Sequence, residues 1–192
     1  MAYLLERITQ QLEKEGLEPR TNAAREWLKS KVKNLSPQRT ALMKDRDKLK
    51  NRSMLGCMYF YFYDPKLKDS LPYYDRFPLV IPIERYSDGF LGLNLHYISP
   101  KQRIILLDKL SVFLNNDNYD ETTKFRLKYH TLKNASRIFE GTPCIKKYLY
   151  KNIDSRFLEI PAEEWDIAVM LPAENFVGAS TSKVFSDSRK KF

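Results

Sequence analysis

His96, in the stretch LNLHYISPKQRIILLDKL (93–110), is one of two histidines in the chain. Strand alternation across 91–97 puts Leu91, Leu93, Leu95 and Tyr97 on one face, and Gly92, Asn94 and His96 on the other. A general base at His96, supported by Asn94, would need a nucleophile and an oxyanion site close by. The chain has no GxSxG motif and no nucleophilic-cysteine signature. His96 therefore reads as a structural histidine at a strand end, bonded to a backbone carbonyl or to Asn94. His130 follows Tyr129 on a charged helix and reads as surface.

Metal-dependent nuclease chemistry needs carboxylates clustered around a divalent cation beside a phosphate. Asp64, Asp75, Glu84, Asp88, Glu159, Glu163, Glu164 and Asp166 supply the residue type, but not the spacing of a nuclease motif. Glu163 and Glu164 also suit a first helical turn, where negative charge is favoured. Gly56, Gly89 and Gly92 do not form a phosphate loop. Cys57 and Cys144 stand far apart, outside any CxxC pair, and read as reduced and buried rather than zinc-binding. The expectation is no catalytic residue, no metal ligand, no cofactor and no small-molecule substrate. A nuclease stays open behind two other readings.

The cations carry the stronger signal. Net charge is +9. Residues 20–53 hold eleven Lys and Arg against Glu26, Asp45 and Asp47, and residues 183–192 hold four against Asp187. Between them, 54–182 balances sixteen of each sign. A neutral body with basic ends favours an anionic partner. Lys29, Lys31, Lys33, Arg39, Lys44, Arg46, Lys48, Lys50 and Arg52 are the candidate phosphate contacts, binding by charge and counterion release. The aromatics of MYFYFYD, PYYD and HY could stack bases. In strand spacing, such aromatics more often fill cores and interfaces.

The elements that must position these groups read as follows. Leu4, Leu5, Ile8 and Leu12 mark a helix over 2–15, stopped at Gly16. Thr21 or Asn22 caps a second, about 22–34. Ser36-Pro37 starts a third, running to about 50, too polar to be buried on most faces. MLGCMYFYFYD reads as a strand. LVIPIE is a second, with Pro82 at an edge or a bulge. A turn at Ser87-Asp88-Gly89 leads into FLGLNLHY. Ser99-Pro100 starts a helix to about 114. Further helices are expected at 121–138 and from Pro143 to about 151. RFLEI (156–160) and WDIAVML (165–171) read as strands, and 177–192 as a tail, free alone or ordered on a partner. The start is no signal peptide, and no apolar run approaches membrane-spanning length.

The run from MYFYFYDPK to HYISPKQR, with SRFLEI, EEWDIAVMLPAENF and SDSRKKF, resembles a virion-associated or uncharacterised protein family of T4-like, notably marine, tailed bacteriophages. The resemblance spans nearly the whole chain and brings no catalytic residues. It implies a small non-enzymatic part of a phage particle or of its assembly, made in the host cytoplasm.

The expected fold is α+β: a small antiparallel sheet, meander or barrel-like, packed by helices and preceded by a basic helical arm. The expected units are an arm at 1–53, a body at 54–176 and a basic tail at 177–192. The leading functional expectation is a minor virion protein that contacts double-stranded DNA, of the head-completion or DNA-end-protecting kind. The alternative is a structural subunit of the neck or baseplate, whose arm and tail bind neighbouring virion subunits.

Overall fold

A computed structural model describes residues 3–114 and 144–189. The helix expected at 121–138 lies outside these residues.

Helix α1 (Leu4–Lys14) buries Leu5, Ile8 and Leu12 along one stripe. Gly16, at φ +67°, turns the chain out of it. Thr21 caps α2 (Asn22–Val32), its side chain accepting from Ala24 N at 3.2 Å. Both apolar stripes join the same core as the sheet. The expected third helix shortens to α3 (Arg39–Leu42). A 3-10 turn at Arg46–Lys48 follows, then strand β1 (Leu49–Lys50). Burial of Leu42 and Asp45, and a Lys48–Glu164 ion pair at 2.5 Å, draw this segment onto the body.

The main sheet comprises β1, β2 (Met58–Phe60), β4 (Leu79–Arg85), β5 (Gly89–Asn94), β6 (Ile145–Leu149) and β7 (Phe157–Ile160). Its order is β1-β7-β2-β4-β5-β6, with every pair antiparallel. The sheet is open, so the barrel-like alternative is corrected, while β2-β4-β5 forms the expected meander. Pro82 marks a register shift against β5, as a bulge in an interior strand rather than at an edge. A second, two-stranded sheet pairs β3 (Tyr74–Asp75) with β8 (Phe176–Val177).

Alternation sorts the sheet's two faces. Met58, Phe60, Leu79, Ile81, Leu93, Leu158 and Ile160 join the helix-packed core. Tyr59, Tyr61, Val80, Phe90, Tyr148 and Phe157 form a separate aromatic cluster. Gly92 leaves room for that cluster: a Cβ there would meet Val80 Cγ1 at 2.4 Å.

Three C-terminal expectations are corrected. WDIAVML is not a strand but helix α5 (Trp165–Met170), with all six residues buried. It packs against α1, α2 and α4 (Pro100–Leu114). A helix buried on every side, and apolar but for Asp166, shows no amphipathic period, so its short run reads as a strand. The segment after Pro143 is strand β6, not a helix. The tail forms β8 and then α6 (Thr181–Arg189), which buries Val184 and Ser188. Ser188 Oγ donates to Tyr97 O at 2.6 Å.

Candidate nucleic-acid interface

The nine candidate cations are not one equivalent set. Arg39 is turned inward: its guanidinium donates to Ala173 O at 2.9 Å and also to Glu174 O. Lys48 is spent on Glu164, with Asp45 at 3.6 Å. Lys29 pairs with Glu26 at the surface, and Lys31 Nζ lies 5.1 Å from the Trp27 ring centroid. Lys50 Nζ is 3.4 Å from Asp47 O. Lys33, Lys44, Arg46 and Arg52 have exposed side chains. The segment expected as a basic helical arm thus divides into residues that fix it to the body and residues that face outward.

Arg52 opens onto a surface basin of about 590 Å³ lined also by Asn51, Arg85, Tyr86 and Tyr150. Among the described residues, no carboxylate lines it. The basin forms because β1 ends at the sheet edge beside Phe157, while the β4–β5 hairpin brings Arg85 and Tyr86 to the same side. Arg85 donates to Ser53 O at 2.6 Å, fixing its guanidinium there. Glu84 hydrogen-bonds Tyr86, and Asp88 in the same hairpin turn is paired with Lys147. Two guanidiniums beside exposed tyrosine faces can hold phosphate and stack a base. Of the residues lining this basin, Arg52 is among the nine cations singled out in the sequence, and Arg85, Tyr86 and Tyr150 are not. The Arg-Tyr pair flanking the Ser-Asp-Gly turn was the available signal.

A second recess, of about 290 Å³, lies beside β6 and the β3 segment. Tyrosines dominate its wall, including Tyr73, Tyr74 and Tyr148, with Lys66, Lys146 and Lys147 among its lining. Lys147 pairs with Asp88 at 2.9 Å, and its Nζ lies 5.0 Å from the Tyr86 ring centroid. One lysine therefore lines this recess and covers an aromatic wall of the basin.

Beneath the second recess lies a buried polar network. The strand ends at Asn94, three residues short of Tyr97, because Asn94 Oδ1 accepts from His96 N at 2.9 Å and caps a 3-10 turn over Leu95–Tyr97. His96 Nδ1 is 2.7 Å from Asp75 Oδ2, with both side chains inaccessible. Asn94 Nδ2 donates to Tyr148 OH at 3.0 Å and to Asp75 Oδ2 at 3.3 Å. Phe77 N and Asn175 N donate to Asp75 Oδ1 at 3.0 and 3.2 Å. Burial alone would raise the Asp75 carboxyl, but the His96 charge and these hydrogen bonds outweigh it and hold it below the usual aspartate range. Arg103, fully buried, donates to Leu95 O, Ile98 O and Val169 O at 2.7–2.9 Å, and pairs with Glu174 at 2.5 Å. His96 thus has the structural place expected of it, with an aspartate as its partner.

The carboxylates considered for metal chemistry are largely committed elsewhere. Asp64 holds Lys68, Asp166 holds Arg25, and Glu164 holds Lys48. Among the described residues, no group of three His, Cys, Asp or Glu could hold a metal ion.

The family model described as phage T4 terminal DNA protecting protein matches residues 5–191. The chain belongs to the phage T4 terminal DNA-protecting protein family. Membership places it among minor virion proteins with a DNA-contacting role, in agreement with the T4-like resemblance of its sequence. The match spans both recesses and every candidate cation of this terminal DNA-protecting family member. Searches of curated proteins and of solved structures each returned no match. Among the described residues, no helix is long and apolar enough to cross a membrane.

Proposed function

We propose that the chain binds the ends of double-stranded DNA in the phage particle and shields them sterically, without cleaving them. Its phosphate contacts would be Lys33, Lys44, Arg46 and Arg52, joined by Arg85. The observation that carries this reading is the carboxylate-free basin, where Arg52 and Arg85 stand beside Tyr86 and Tyr150. Lys29, Lys31 and Lys50 would add long-range attraction, because each already has a local contact. Arg39 and Lys48 support the interface from behind by fixing the chain that presents it. Synthesis in the host cytoplasm and contact with other virion subunits fit the same reading. The neck or baseplate alternative loses one of its two wrapping segments, since Thr181–Arg189 packs on its own body.

Deleting 1–53 is an unclean test, because Leu5, Ile8, Leu12, Leu28 and Val32 belong to the core. Single alanine substitutions of the exposed cations are cleaner. Binding of a short duplex should weaken with salt, and each lost phosphate contact should make the log–log salt slope shallower by about 0.9. Unchanged slopes in Lys44→Ala, Arg46→Ala and Arg52→Ala would remove these residues from the interface.

A further inference from the structure

Resting on the DNA-end reading, we infer that the tyrosine-walled recess beside β6 seats the last, unpaired nucleotide of a DNA strand whose phosphates lie in the Arg52–Arg85 basin.

The recess has the scale of one nucleotide, at about 290 Å³. Its lining is mainly apolar and aromatic, suited to the face of a base, and every base offers such a face whatever the sequence. Lys66, Lys146 and Lys147 lie in the same lining, Lys146 over the Tyr97 ring and Lys147 paired with Asp88, and together they leave the lining net positive for a phosphate. Asp75 is its only carboxylate among the described residues, and that group is occupied by His96, Asn94 and two backbone amides. An apolar protein segment would make no use of three lysines. A nucleotide uses both parts.

Continuity with the basin supplies the path. Lys147 lines the recess, and its ammonium lies over Tyr86, which lines the basin. A strand held by its phosphates at Arg52 and Arg85 would pass Lys147 before its terminal base entered. The tyrosine site is also built on rigid material. Tyr148 OH is held by Asn94, Tyr74 lies in β3, and Asp75 anchors both neighbouring segments through Phe77 N and Asn175 N. Leu67 and Leu71 are exposed large apolar residues in the same lining, with Leu67 64% exposed.

The test uses the full chain and two duplexes with the same paired sequence, one carrying a single unpaired nucleotide at each strand end and one closed at both ends by hairpin loops. Leu67→Trp would plug the recess from an exposed position, Tyr74→Ala would remove a stacking face, and Tyr74→Phe would keep it. The expected result is about tenfold tighter binding of the open duplex by the wild type and by Tyr74→Phe. Leu67→Trp and Tyr74→Ala should reduce open-duplex affinity to that of the closed form and leave closed-duplex affinity unchanged. A photoreactive pyrimidine at the strand terminus should crosslink within 63–74 or 146–149. Equal binding of both duplexes by all four proteins would overturn the seat while leaving DNA contact intact. So would open-end preference that survives both blocking variants, or a recess occupied in purified particles by a neighbouring virion subunit. No binding of either duplex at low salt would overturn the DNA-end reading and the seat together.

Discussion

His96 Nδ1 lies 2.7 Å from Asp75 Oδ2, joining the end of β5 to the small β3–β8 sheet where neither side chain meets solvent. This pair sets the wall of the tyrosine recess, since Asp75 also holds the backbone of Phe77 and Asn175. Removing one partner of such a pair strands the other. Asp75→Ala should destabilise the fold by about 3–5 kcal/mol, and Asp75→Asn by less, because the amide can keep part of the bonding. Denaturant unfolding of both variants checks the order.

Acid should unfold the protein through the same groups. The Asp75 and Glu174 carboxyls are each raised by burial, yet end below their ordinary values of 3.8 and 4.5 under the charges of His96 and Arg103. A depressed folded pKa gives stability that is present above the unfolded value and lost as pH falls through the folded one. Stability should therefore hold down to about pH 5 and fall below pH 4. In Asp75→Asn the acid loss should be smaller. Thermal melts from pH 7 to pH 2.5 measure it.

Alkali should act on the tyrosines. Burial raises Tyr59, Tyr61, Tyr63, Tyr97 and Tyr148 above their ordinary value of 10.0. A raised folded pKa gives stability that is complete below the unfolded value and lost as pH rises toward the folded one. Ultraviolet titration of the chain's twelve tyrosines should leave these five un-ionised in the native state at pH 10. The buried class should ionise only together with the loss of circular dichroism. Ionisation of all twelve in the native state would contradict the aromatic cluster.

Arg39 and Arg46 separate support from contact. Arg39→Ala should lower stability by about 1–3 kcal/mol, because Ala173 and Glu174 carbonyls lose their donor, and DNA affinity should change little while the protein stays folded. Arg46→Ala should leave unfolding within about 0.5 kcal/mol of wild type and weaken DNA binding. Paired melting and binding measurements decide between these roles.

How far the sequence reveals this structure depends on how locally each element is determined. The stripe Leu5, Ile8, Leu12, the Thr21 cap and the Ser99-Pro100 start are set by near neighbours, and all appear where their spacing places them. Trp165–Met170 fails as a strand because its apolar character comes from being surrounded by three other helices, a tertiary fact. The 181–189 helix is equally hidden, since Val184 and Ser188 become core residues only against the body. The basic run is legible as charge. Its division into Arg39 and Lys48, which hold the chain, and Lys33, Lys44, Arg46 and Arg52, which face outward, depends on carbonyls and a carboxylate more than a hundred residues away. Arg85 lies beyond the run and joins Arg52 only through the sheet.

The most direct test of DNA-end shielding is digestion of a linear duplex at saturating protein, comparing an exonuclease that starts at ends with an endonuclease that cuts at a central site. The predicted result is a strong slowing of the exonuclease with central cutting unchanged, and loss of that protection in Arg52→Ala with Arg85→Ala. Ends digested at the unprotected rate, or ends and centre slowed alike, would contradict it.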